Sequence, residues 1–347
     1  MSAGSAPRLA LVMGDPAGIG PELFVRLLAE PAVREGAALV GIGDARLLAR
    51  GIEQAGLDPE LLVERDREAA LSAAAPGRPA FWDRADCDPA ECPPARVSAA
   101  AGAAALAAFR AALELARDGR VDAITFAPFN KQAIRLVHRA YEDEAVEAAS
   151  FFGCPGACVE FNVAGGLWNA RVTSHVPLRE VADLLTVERI VERIATTDAA
   201  LRAAGIARPR IAVAALNPHA GEGGAFGSEE IEVIGPAVER ARALGLPASG
   251  PYPADTVFLR ASSGAFDAVV TMYHDQGQIA IKLLGFERGV TVLWGLPVPI
   301  TTPAHGTAFD IVGTRKAKLG PSLEAVRLAL TMARASRRPN PPPRPSA

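Results

Sequence analysis

Two of the five histidines, His175 and His274, each follow a short run that reads as a buried β-strand, residues 169–174 (Asn-Ala-Arg-Val-Thr-Ser) and 268–273 (Ala-Val-Val-Thr-Met-Tyr). In an open α/β sheet the loops at the carboxyl ends of strands converge on a crevice, and ligands bind there. Two imidazoles at equivalent strand ends point to one shared site. Asp275 directly follows His274, and Lys282 lies eight residues past it, so titratable groups crowd the same crevice. Asp255, within Gly-Pro-Tyr-Pro-Ala-Asp-Thr at 250–256, offers another carboxylate. Such clustering suits proton transfer and metal binding. A single histidine after a strand, taken alone, is more often a hydrogen-bonded structural residue.

Three loops have compositions suited to ligand contact. Residues 14–22 (GDPAGIGPE) put glycines before a helix N-terminus, which can hold an anion. The segment is neither GxGxxG nor a P-loop, and a structural turn explains it equally well. Residues 217–227 (NPHAGEGGAFG) follow a strand and precede a helix. Ordering so many glycines costs conformational entropy that function normally justifies. The backbone at Asn217, His219, Gly221, Gly224 and Gly227 can approach a dinucleotide closely. The third loop, 305–311 (HGTAFDI), carries His305, Gly306, Thr307 and Asp310. Asp310 reads either as a helix cap or as a ligand contact.

The elements that must position these groups alternate. Residues 9–13 and 38–42 read as strands, each followed by a turn and an apolar-periodic helix, with Pro21 in the first turn of one. Ser98 caps a helix with Leu106, Phe109, Leu113 and Ala116 on one face, and 121–126 returns as a strand. A helix over 142–152, a hairpin around Gly165-Gly166, a helix over 181–204 and a strand over 211–216 continue the pattern. Helices over 229–243 and 322–335 complete it, while 57–97, rich in Pro, Asp and Ala, resists assignment. Strands alternating with helices predict an α/β sandwich with a largely parallel sheet.

A chain of 347 residues predicts two domains. Half its residues are apolar, 22% are charged and the net charge is −3, so nothing in the composition favours nucleic acid or a membrane surface as partner. No signal-peptide core is evident, and no stretch reads as a membrane span of about 20 apolar residues, which predicts a cytoplasmic protein. The cysteines Cys87, Cys92, Cys154 and Cys158 lack zinc-knuckle spacing and read as ordinary thiols. The tail 336–347 has five prolines and three arginines and is expected to be disordered.

Together the motifs bring the chain close to a known family. It resembles the 4-hydroxythreonine-4-phosphate dehydrogenase family, NAD-dependent and metal-dependent enzymes with the isocitrate/isopropylmalate dehydrogenase-like fold. The resemblance rests on GDPAGIGPE at Gly14, VDAITFAPFNK ending at Lys131, TSHVPL around His175 and NPHAGEGGAFGSEE from Asn217. GPYPADTVF from Gly250, YHDQGQIAIK from Tyr273 and HGTAFDIVG from His305 complete it, over about residues 8–333. The resemblance implies an α/β/α sandwich of two domains with the active site in the cleft between them. The first domain would comprise 1–130 plus 270–335, and the second, with dimer contacts, 131–269.

It further implies NAD, a divalent metal (Zn, Mg, Mn or Co), a hydroxy-acid substrate and a homodimer. His175 and His274 match two metal-binding histidines. A third is expected thirteen residues after the lysine matching Lys131, where this chain has Glu144; two His and one carboxylate form a competent metal set. Glu142 and His138 are the other candidates. Asn130, Lys131 and Lys282 match substrate-contacting positions. Thr291 and Ile300 stand where the family has Asn and Arg, and losing an arginine removes a bidentate phosphate partner. The expected reaction is oxidation of a secondary alcohol, possible decarboxylation following, with Asp275, Lys282 or Asp255 as acid–base groups and both the 217–227 and 305–310 loops holding NAD. Divergent relatives acting on ring dihydrodiols with carboxylates offer a precedent for a changed substrate. The alternatives are the family's namesake reaction and a metal-free binding homologue.

Overall fold

The structure, a computed structural model, describes residues 6–285 and 288–336. Its twelve strands are β1 (Arg8–Val12), β2 (Ala38–Gly43), β3 (Leu62–Glu64), β4 (Ala80–Asp83), β5 (Ala123–Phe126), β6 (Val159–Ala164), β7 (Leu167–Arg171), β8 (Ile211–Ala214), β9 (Ala248–Tyr252), β10 (Ala268–Thr271), β11 (Val290–Trp294) and β12 (Ile300–Pro303). They form one sheet in the order β3-β4-β2-β1-β5-β12-β11-β6-β7-β10-β8-β9. The pairs β12–β11, β11–β6 and β6–β7 are antiparallel, and the remaining pairs are parallel. Two parallel halves therefore run in opposite directions. Strand tips after β7, β8 and β10 lie at the edge opposite those after β1, β5 and β12.

The layers follow from side-chain alternation, which sends successive residues of a strand to opposite faces. In the first half Leu9, Leu11 and Met13 pack with Phe24, Leu28 and Leu330, whereas Ala10 and Val12 pack with Phe109 and Leu113. In the second half Ala170, Val213 and Val270 pack with Ile190, Ile194 and Leu201, whereas Val269 and Ala214 pack with Val257, Phe258 and Ile281. Helices thus cover both faces of both halves. Each fully buried Leu, Ile or Phe contributes about 1.5–3 kcal/mol.

Local signals set most helix ends. Ser98 accepts from the Ala101 amide and starts Ala99–Arg117. By length and composition that helix could cross a membrane, contrary to the expectation from sequence, yet 67% of its most apolar stretch is buried inside the protein. The expected helix over 181–204 is two helices, Val181–Leu184 and Val187–Ala203, because Thr186 caps the second through the Arg189 amide at 3.2 Å. Residues 57–97 hold β3, at one edge of the sheet, and β4 beside it. Cys87 and Cys92 are buried thiols with sulfurs 2.9 Å apart. The expectation for the tail falls at 337–347, outside the described residues.

Candidate active site

β7 and β10 are parallel neighbours with Arg171 opposite Thr271. This register carries both chains to the same height at their carboxyl ends. Val172 and Thr173 continue the pairing through amide bonds to Thr271 and Met272 of 2.9 and 3.0 Å. The rings of His175 and His274 consequently stand 5.6 Å apart, centre to centre. His175 is held at φ 53°, a left-handed backbone that costs a non-glycine residue about 1–2 kcal/mol. His274 opens the helix His274–Gly285, and its Nδ1 lies 2.6 Å from Asp275 Oδ1. That carboxylate fixes the ring orientation and leaves Nε2 for another partner. Thr173, His175, Leu178, Val181, Tyr273, His274 and Asp275 line a cavity of about 280 Å³ there.

The helix His274–Gly285 lies back across the sheet over β6 and β7. A second cavity of about 190 Å³ runs beneath it, lined by His274, Gln278, Lys282, Glu160, Asn162 and Thr291. Lys282 stands two turns beyond His274, about 12 Å along the axis. The sheet face under this helix is polar. Arg171 donates to Asn162 Oδ1 at 2.6 Å and pairs with Glu160 at 3.0 Å, while Gln278 donates to Asn162 Oδ1 at 2.5 Å. Arg171, Asn162, Asn169 and Gln278 are all buried. Sequence reasoning missed this network. Its signal was the two-residue spacing of Glu160 and Asn162, and of Asn169 and Arg171, in the predicted hairpin.

Glu144 does not join the histidine pair. Among the described residues no group of three His, Cys, Asp or Glu side chains could hold a metal within one chain. Glu144 instead begins the helix Glu144–Phe151, is capped by Asp143, and lies 3.6 Å from Lys131 Nζ. Burial raises its pKa, and the Lys131 charge opposes the rise. His138 pairs with Glu147 at 3.7 Å, and the Glu142 carbonyl accepts from Arg135. Asn130 caps the helix Lys131–Val137 through the Ala133 amide. Ile300 is also corrected: it is fully buried in the core between β5 and β11, so its side chain offers no surface to a ligand. Thr291, on the neighbouring strand β11, does face the second cavity. Asp255 is exposed in the first turn of Ala254–Ser262.

The glycine-rich loop follows β8, the strand next to β10. His219, Ala220, Gly221, Glu222 and Gly223 all take positive φ, a continuous left-handed turn. Glu230 anchors its base, accepting from the Leu216 and Asn217 amides at 2.8 Å each. Gly227 presses on the Asn217 side chain, leaving no room for a Cβ. Gln276 bridges this strand end to β10, bonding Met272 and Ala215 at 2.7 Å each. Among the described residues eight non-glycine residues take positive φ; four lie in the 217–227 and 305–311 loops (His219, Ala220, Glu222 and Ala308), and a fifth is His175. Backbone strain concentrates at functional sites.

The loop after β12 stands at the other edge of the sheet. His305, Gly306, Ala308, Ile19, Ile311, Lys316 and Lys318 line a cavity of about 500 Å³ there. Burial lowers the His305 pKa. The Gly-Asp-Pro turn supports this loop: the Ile19 amide donates to Thr307 O at 3.0 Å, and Gly18 abuts Thr307. Its glycines are filled against protein, so the structural reading of that turn holds. By strand direction the two loops expected to share NAD leave opposite edges of the sheet.

A two-sided α/β sheet with paired imidazoles at strand tips, an acid on one of them and a lysine in the adjoining cavity, defines an α/β enzyme built for chemistry on small polar molecules. Comparison with known proteins gives the family. A model described as "Pyridoxal phosphate biosynthetic protein PdxA" matches residues 35–329, and the chain belongs to that family. It is 51% identical over 331 residues to a protein of Rhizobium meliloti (strain 1021) named "Putative 4-hydroxythreonine-4-phosphate dehydrogenase 2", covering 95% of this chain and 94% of that one. It is 40% identical over 325 residues to the "D-threonate 4-phosphate dehydrogenase" of Salmonella typhimurium, covering 94% and 98%. The crystal structure of 4-hydroxythreonine-4-phosphate dehydrogenase from Klebsiella pneumoniae matches with TM-score 0.79 and 40% identity over 94% of this chain and 100% of that one. The fold is therefore the expected isocitrate/isopropylmalate dehydrogenase-like α/β architecture, and the chain is an oxidoreductase acting on CH–OH.

Proposed function

We propose that the chain oxidises a secondary alcohol of a small hydroxy acid with NAD and a divalent metal, in a substrate pocket altered from that of a phosphate-ester dehydrogenase. The observation that carries this reading is the His175–His274 pair, 5.6 Å apart, with His274 also lining the cavity that holds Lys282. Two imidazoles, one oriented by a carboxylate, are a donor set that suits a divalent ion. Among the described residues no third donor within one chain groups with the pair; His219, after the neighbouring strand β8, is the imidazole the strand order favours over Glu144, supplied across a contact between two copies of the chain. When bound, the ion supplies polarisation of the substrate hydroxyl and NAD supplies the acceptor for its hydride.

This chain's residues do the rest. Lys282 Nζ binds the acid group at the far end of the cavity. The roughly 12 Å between Lys282 and His274 along the helix, less the length of a lysine side chain, suits a substrate of four or five carbons. Asp275, whose side chain is 72% exposed, orients His274 and offers the hydroxyl proton an acceptor open to solvent. The apolar cavity with Lys316 and Lys318 at its rim suits part of the dinucleotide. A homodimer and two lobes meeting at β12–β11–β6 complete the reading, as does a soluble setting. The test is His274→Ala: turnover, followed as NADH absorbance, falls at least about 1,000-fold and bound metal is lost. Unchanged activity would refute it.

The names of the relatives favour a second reading, phosphorylated 4-hydroxythreonine or D-threonate as substrate. Steady-state comparison of the phosphate ester with unphosphorylated hydroxy acids and cis-dihydrodiol carboxylates separates the two.

A further inference from the structure

We infer that Cys87 and Cys92 are a modification site, where a small hydroperoxide joins the two sulfurs in a reversible disulfide that fastens the segment behind the Gly-Asp-Pro turn. The pair lies outside the cavities described above.

Spacing alone offers two thiols five residues apart. The fold pins the backbone at each of them. The Cys87 amide donates to Asp44 Oδ2 at 2.9 Å, just past β2. The short turn Pro89–Glu91 then reverses the chain, and the Cys92 amide closes it on the Pro89 carbonyl at 3.2 Å. Arg50, on the neighbouring helix Ala45–Ala55, grips the same turn, donating to Pro89 O at 2.7 Å and to Cys92 O at 2.6 Å. The sulfurs thereby meet at 2.9 Å. Unbonded carbon atoms rest at roughly 3.5–4.0 Å, and sulfur is the larger atom. Thiols that only fill a core need no such meeting. Cys87 and Cys92 are 4% and 0% exposed, which leaves room for a small oxidant and none for a bulky one.

The two sulfurs take different parts. The Cys87 thiol donates to Cys92, and that bond, with the Ser98 hydroxyl and the Arg50 charge, lowers the Cys92 pKa. The same contact, with burial, pushes Cys87 up. Cys92 is therefore the more readily ionised sulfur and the nucleophile. It attacks a peroxide oxygen, the O–O bond breaks, water or an alcohol leaves, and Cys92 becomes a sulfenic acid. The Cys87 sulfur then attacks the Cys92 sulfur and displaces its hydroxyl as water. The thiols give up two hydrogens and two electrons, and hydrogen peroxide takes them to end as two waters. In a reducing compartment the pair stays as thiols until peroxide arrives. The new bond locks the turn that Arg50 grips. Arg50 also donates to Pro16 O at 3.3 Å, and the Ala95 amide to Ala17 O at 2.7 Å, so the locked segment backs the turn whose Ile19 amide holds Thr307. Stability under oxidising conditions rises, because the cross-link constrains the unfolded chain.

The test is hydrogen peroxide treatment of the native wild-type protein, then unfolding in an alkylating reagent and tryptic mapping. Cleavage after Arg84 and Arg96 leaves both cysteines in one peptide. That peptide is expected to carry no alkyl group and to be lighter by the two hydrogens lost, and dithiothreitol before alkylation should restore two alkylated thiols. The thermal midpoint should rise by about 2–4 °C on oxidation. Cys87→Ser should show no rise, and its Cys92, stopped at the sulfenic acid, should take up dimedone. Two alkylated thiols in the peroxide-treated wild type, or a sulfinic acid in place of the bond, overturns the site. The bond with an unchanged midpoint overturns the fastening, and Cys87→Ser without dimedone label overturns Cys92 as the nucleophile.

Discussion

Gly277 lies against the side-chain amide of Asn169 with no space between them for a Cβ. The contact lets the helix His274–Gly285 settle onto β7, which brings Gln278 to Asn162 and His274 to His175. Asn169 is fully buried, and its amide nitrogen is committed to the Val269 carbonyl at 3.1 Å, so it cannot swing aside.

Gly277→Ala is therefore expected to cost about 1–3 kcal/mol, the range for forcing a methyl into a packed interior. Turnover should fall with it, because the displaced helix carries His274, Gln278 and Lys282. Gly306→Ala, whose added Cβ meets open space, should stay within about 0.5 kcal/mol of wild type. Urea unfolding of the two variants checks the contrast. Equal stabilities would remove Gly277 as the seat of the helix.

Asp275→Asn tests the orientation of His274. The carboxylate meets Nδ1 at 2.6 Å, and an amide in its place can turn its nitrogen to the ring and favour the wrong tautomer. Loss of such a partner typically weakens metal binding about 10–100-fold. Zinc titration against a chelator should show this fall while thermal stability of the metal-free protein stays put, since Asp275 is largely exposed. Affinity equal to wild type would mean that Asp275 does not orient a ligand.

How far the site was legible in sequence depended on the distance along the chain between its parts. His175 and His274 could be read because each closes a recognisable strand, and the sheet then set them side by side. Ser98 and its helix were legible for the same local reason. The fold adds two things that local pattern does not carry. Asn162 and Thr291 meet although 129 residues separate them, and the antiparallel strand β11 that joins them reverses one half of the sheet against the other. That reversal sends the loops after β8 and β12 to opposite edges, which alternating strands and helices alone could not announce. Ile300 shows the same limit: a motif position identifies the residue, but the pleat of β12 turns it into the core.

Asp15 gives a pH dependence. It is 1% exposed, Oδ1 accepts from the Ala17 amide, and Oδ2 has no partner. Burial raises its pKa from 3.8 to about 6, and the single amide bond only partly opposes the rise. A folded-state pKa above the unfolded one means that stability from this group is fully present below about pH 4. It is lost as pH rises through about 6. The whole change corresponds to about 3 kcal/mol. Asp15→Asn lacks this ionisation, so the wild type should lose ground to it between pH 4 and 6 and hold a constant difference above pH 7. Urea unfolding at several pH values measures the gap; parallel curves would show that Asp15 ionises freely in the native protein.

Glu144 separates a ligand role from a structural one. The carboxylate is mostly buried at the start of its helix and faces Lys131 Nζ at 3.6 Å, with Tyr141 packed beside it. Glu144→Gln preserves its shape and removes its charge. Metal stoichiometry should be unchanged, because within one chain Glu144 forms no group with His175 and His274. Stability should change by less than about 1 kcal/mol: the variant loses the attraction of a partly exposed lysine and also escapes the cost of a buried charge. His175→Ala under the same assay should lose metal. Elemental analysis of the three proteins decides the matter. If Glu144→Gln loses as much metal as His175→Ala, the acid reaches the ion after all, and it must do so across a subunit boundary.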